Sequence, residues 1–90
     1  MNTLKTGYEN SDVIATIRGI LVPADWDERG NIIATSVMTY FEEDYLIEQN
    51  PRGEELLPYI RQKIKVRGVV RCQENGKKVV TVEDFEILED

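Results

Sequence analysis

Between residues 63 and 72 the chain alternates Ile64, Val66, Gly68, Val70 and Cys72 with Lys63, Lys65, Arg67, Val69 and Arg71. A period of two is what a strand with one buried and one solvated face requires, and a helix would scatter the same residues around its circumference. The turn that follows, Glu74-Asn75-Gly76, suits a tight hairpin because Asn-Gly readily takes the positive φ such turns need. A last strand is then expected over residues 77–88. Its inward residues are Val80 and Val82, then Phe85 and Ile87, so the frame slips by one; a bulge at Glu83-Asp84 restores the alternation.

The same period runs upstream. Val13, Ala15, Ile17, Gly19 and Leu21 line one face of a strand at residues 13–22, with Thr16 and Arg18 opposite, while Ile20 and Val22 add apolar groups to the polar side. Pro23 has no N–H for a ladder, so the strand is expected to stop there, and Asp25-Trp26-Asp27-Glu28-Arg29-Gly30-Asn31 reads as a hairpin loop. A second strand follows at residues 31–40, rich in Ile, Val, Thr and Tyr, and a third at 45–48 after the acidic turn Glu42-Glu43-Asp44. Asn50-Pro51 is an N-cap with proline at the first helical position, and Glu54 and Glu55 complement the helix dipole. Leu56, Leu57 and Ile60 give the helix an apolar face, and Pro58 limits it to one or two turns. Residues 1–11, with Gly7, Asn10 and Ser11, form an expected flexible lead-in, which leaves residues 12–90 as a single domain.

Three meandering strands, a short helix and a two-stranded hairpin, with no crossover long enough for a βαβ unit, close best as a barrel. Two segments share the form apolar-Arg-Gly-apolar-apolar: Ile17-Arg18-Gly19-Ile20-Leu21 in the first strand and Val66-Arg67-Gly68-Val69-Val70 in the fourth. A glycine in a strand permits a bulge or close backbone approach. On these elements the chain resembles the OB-fold superfamily, and within it small uncharacterised bacterial OB-fold proteins. The resemblance implies an all-β, five-stranded Greek-key barrel in the order β-β-β-α-β-β, with the first and fourth strands adjacent. An SH3-like barrel is the alternative, and it lacks a natural place for residues 50–60. OB barrels bind across the second and third strands, between the first and last hairpin loops.

Composition narrows the function. Ninety residues, 41% hydrophobic and 31% charged, suffice for one core of ordinary globular character. No apolar run reaches membrane-span length and nothing resembles a signal peptide; with a lone cysteine, a cytoplasmic, non-membrane protein is expected. The net charge is −6, yet residues 61–78 hold seven basic side chains and one acid, so the remainder carries −12. That balance works against tight, sequence-independent attraction to phosphate chains.

The customary OB groove would hold Trp26, Met38, Tyr40, Phe41, Tyr45 and the turn at Asn75. Exposed aromatics there could stack on bases, but Phe41 and Tyr45 are expected to close the barrel, since large aromatics usually supply buried area. Trp26, in a polar loop, is the better contact residue. Acids border the groove: Asp25, Asp27, Glu28, Glu42, Glu43, Asp44 and Glu48. The cations Lys63, Lys65, Arg67 and Arg71, with Arg18, form a separate stripe, a pattern that also keeps an exposed strand soluble.

Catalysis has little to stand on. There is no histidine and no glycine-rich phosphate loop, Asp25/Asp27 and Glu42/Asp44 lie in loops without an apolar pocket to shift a pKa, and inward parity marks Cys72 as buried and inert. The calcium-loop likeness of residues 25–30 fails, because Arg29 stands at the fifth ligand position and Ser36 at the closing glutamate. The expectation is therefore a non-enzymatic binding module without cofactor or metal. Its expected partner is a protein or basic peptide, centred on Trp26 and Tyr40; single-stranded DNA or RNA is the first alternative. A homo-oligomer, motivated by Ile20, Val22 and Val69 on otherwise polar faces, is the second.

Overall fold

The computed structural model describes residues 13–88, and in it the alternating segments become five strands: β1 (Val13–Trp26), β2 (Ile32–Met38), β3 (Asp44–Ile47), β4 (Lys63–Cys72) and β5 (Lys78–Ile87). The lead-in expected over residues 1–11 lies outside the described residues. The strands close into a barrel in the order β1-β2-β3-β5-β4, with β4 returning to β1. All neighbours are antiparallel except β3 and β5. This is the OB-type order, and the helix α1 (Pro51–Glu54) fills the place between β3 and β4 for which the SH3-like alternative has no use.

β1 is long because it serves two neighbours in turn. Residues 13–20 pair with β4, and from Ile20 onward the strand pairs with β2. Gly19 sits at the changeover, where a Cβ would collide with the carbonyl oxygen of Met38; a Cβ on Gly68 of β4 would strike the carbonyl oxygen of Thr81. The glycines of the two Arg-Gly segments are thus the points where a neighbouring backbone passes too close for any side chain.

Pro23 does not end β1, contrary to expectation. Leu21 exchanges backbone hydrogen bonds with the Arg61–Gln62 side, so Pro23, two residues on, turns its N toward the same side, beyond the end of the β4 ladder at Ile20↔Lys63. The missing N–H costs no bond to β2, where Pro23 pairs with Thr35, and the register shift that follows bends the strand. In β5 the slip falls where the frame predicts it: Arg67 opposes Asp84 and Gly68 opposes Val82, leaving Glu83 as the extra residue.

Ile17, Leu21, Val37, Ile47, Ile64, Val66, Val80 and Val82 fill the barrel, with Tyr59, Phe85 and Ile87 packed against them. Asn50 caps α1, its Oδ1 accepting from Gly53 N at 2.7 Å. The 3-10 turn at Leu57–Tyr59 then carries Pro58, and Leu56 beside it is fully buried. Leu57, expected on the same apolar face, points away from the core and is exposed. No helix among the described residues is long and apolar enough to cross a membrane.

Candidate binding groove

The β2–β3 turn is built by one hydroxyl. Thr39 Oγ1 accepts from Phe41 N at 3.3 Å and Glu43 N at 3.2 Å, while Thr39 N donates to Glu43 O at 2.9 Å. Glu42 takes φ 63°, a left-handed conformation that closes the turn. With their backbone held this way Tyr40 and Phe41 stand in solvent, 77% and 87% exposed. Phe41 therefore does not close the barrel as expected, because it lies in a turn beyond the last paired residue of β2 and its side chain stays in solvent. Tyr45 does pack against the core and stays half-buried.

Opposite that turn runs the first half of β1. Thr16, Ile17 and Arg18 form one wall and Thr39, Tyr40, Phe41, Glu43 and Tyr45 the other, enclosing about 510 Å³. A second concavity of about 370 Å³ adjoins it through Tyr45 and opens at the barrel mouth among Val13, Ala15, Val70, Cys72 and Lys78. Cys72 has the inward parity read from the sequence but is exposed, not buried: as the last residue of β4 it projects past the barrel wall. Its thiol lies 3.8 Å from Gln73 O.

A charged link ties the groove floor together. Lys78 Nζ lies 2.9 Å from Glu43 Oε2 and 5.1 Å from the centre of the Tyr45 ring, and the Tyr45 hydroxyl donates to Glu43 Oε1 at 3.4 Å. The hydrogen bond from Lys78, then its positive charge, hold the Glu43 carboxyl below its ordinary value, and the same hydrogen bond holds Lys78 above its own.

The residues singled out in the sequence fall in four places. Tyr40 and Tyr45 meet at this groove. Trp26, 53% exposed, pairs with Ile32 at the other end of β2, on the order of 25 Å of strand away from Tyr40. Nearby Asp27 accepts from Arg29 N, Asn31 N and the Asn31 side chain, and those bonds, Asn31's foremost, keep its pKa low. Met38 pairs with Ile20 and Asp44 on the outer face of the sheet, beside a row of Val22, Ser36 and Leu46. Asn75 spends its Oδ1 on Lys77 N at 2.9 Å, inside its own turn.

The cationic stripe is largely neutralised. Lys65 meets Glu86 at 3.0 Å, Arg67 meets the bulge carboxylates Glu83 and Asp84 at 3.6 and 3.7 Å, and Arg71 pairs with Glu48. Lys63 lies opposite Ile20. Arg18 is exposed in the groove, and among the described residues no carboxylate pairs with it. No group of three or more metal-ligating side chains occurs among the described residues. Thr39 and Lys78 were not foreseen at this site, while Phe41 was expected to close the barrel and Glu43 only to border the groove; the spacing of Thr39 before Phe41 and Glu43 was the available signal, since a turn hydroxyl bonds residues two and four ahead. Comparison with protein-family models, curated proteins and solved structures returned no match.

Proposed function

We propose that this chain is a member of the OB-fold superfamily acting as a non-catalytic binding module, whose partner is a protein or a peptide carrying basic residues. The observation that carries the reading is the Tyr40–Phe41 turn: two large aromatic side chains held in water by a turn whose bonds are satisfied, beside a concave surface. Burying one such side chain is worth about 1.5–3 kcal/mol, so leaving both exposed fits a surface that is covered in a complex. Glu42 and Asp44 flank them without an ion-pair partner among the described residues and offer a place for basic groups. The ion pairs on β4 disfavour a nucleic acid, because a phosphate chain would have to displace Glu83, Asp84 and Glu86 from the cations it needs.

Backbone amide shifts during titration with peptides and with fluorescent single-stranded DNA and RNA at low salt test this. The expected result is movement around residues 39–45 with peptide and no oligonucleotide binding at micromolar protein. Tight oligonucleotide binding that falls steeply with salt and is lost in Lys65→Glu or Arg67→Glu would replace this function with nucleic-acid binding.

A further inference from the structure

Along its first half β1 has one edge that no strand among the described residues covers. Its ladder with β2 begins at Ile20, so among the described residues nothing pairs with the far side of β1 from Val13 to Gly19. The direction of each backbone group follows from Leu21, whose N–H and C=O engage Gln62 and Arg61 on the β4 side. Alternation then turns Ala15, Ile17 and Gly19 toward β4, and Ile14, Thr16 and Arg18 toward the open side, where Ile20 already meets Met38. Thr16 and Arg18 are the same residues that line the groove. One wall of the groove is therefore a row of backbone donors and acceptors that no strand among the described residues uses, and the other is the exposed aromatic turn.

Resting on the binding-module reading, we propose that the groove takes an extended peptide as an added strand, antiparallel to β1 and in line with β2 where β2 stops. Main-chain bonds to Ile14, Thr16 and Arg18 would supply affinity and alternate side chains specificity. Residues of inward parity enter the mouth between Val13, Ala15, Tyr45 and Val70, an apolar lining that selects small aliphatic groups. The outward position beside Arg18 takes a carboxylate, since no carboxylate among the described residues pairs with that guanidinium and its neighbour in register is Lys65. Basic residues of the same peptide reach Glu42 and Asp44 across the groove. A second copy of the barrel fits less well, because the Tyr40–Phe41 turn forms the opposite wall of the groove along this edge.

The test uses the full chain and the peptide Lys-Val-Thr-Val-Glu-Val-Lys, with two controls: its central Val replaced by Pro, and its Glu replaced by Lys. Binding is read by amide hydrogen exchange and by affinity. The parent peptide should slow exchange at Ile14, Thr16 and Arg18, and each control should bind about tenfold more weakly, the loss that one good hydrogen bond or charge contact represents. Arg18→Glu should reverse the preference between the Glu and Lys peptides. Shifts confined to residues 39–45, with exchange at Ile14, Thr16 and Arg18 unchanged, would overturn strand addition and leave the binding-module reading standing. Failure of every peptide together with tight oligonucleotide binding would remove both. Sedimentation as a dimer with those amides already protected would assign the edge to a second copy and overturn the proposal.

Discussion

Gly19 and Gly68 are the residues on which closure of the barrel depends most directly, because each meets the carbonyl oxygen of a neighbouring strand where a side chain would stand. Backbone cannot yield as a flexible side chain can, so Gly19→Ala and Gly68→Ala should each destabilise the domain by about 2–3 kcal/mol, a fall in Tm of about 10–20 °C by calorimetry. Glu43 and Lys78 make a different kind of prediction. The folded-state pKa of Glu43 lies below its ordinary 4.5, so its contribution to stability is present above pH 4.5 and is lost as pH falls through the lowered value. That of Lys78 lies above 10.5, so its contribution is present below pH 10.5 and is lost as pH rises past the raised value. The pair thus holds the groove floor across the neutral range. An NMR titration of the Glu43 carboxyl should give a midpoint under 4.5 that rises in Lys78→Gln.

Among the elements, β4 was legible from residue 63 to 72, since unbroken alternation and an Asn-Gly turn are local facts that the barrel only ratifies. The Asn50 cap and the slip at Glu83 were legible for the same reason: each is written in the spacing of neighbouring residues. Pro23 was misread because its effect depends on which neighbour its nitrogen faces, and parity does not reveal where the β4 ladder ends. Cys72 and Phe41 were misread because both lie past the barrel wall, where inward parity and bulk no longer imply burial. The consequence for Cys72 is checkable. Its thiol should react with a disulfide reagent in the folded protein at a rate close to that in denaturant, whereas a buried thiol would wait for unfolding. The groove itself was half legible: its aromatic residues were named, but Trp26 was joined to Tyr40 although β2 separates them, and the open edge of β1 depends on where β2 pairing stops.

At the scale of the whole molecule, a barrel removes strand edges by closing, and in this closed barrel the β1–β2 ladder stops at Ile20, so among the described residues the stretch of β1 before it keeps one edge unpaired. Fold and charge would otherwise give opposing advice, an OB-type barrel suggesting nucleic acid and paired cations arguing against it. The peptide ligand proposed for the edge beside the exposed aromatics would reconcile them. Amide hydrogen exchange of the free protein, resolved residue by residue through β1, tests that feature directly. Ala15, Ile17 and Gly19 should be protected by β4 while Ile14, Thr16 and Arg18 exchange rapidly. Uniform protection from Ile14 to Gly19 would mean that the edge is already covered and would contradict the account.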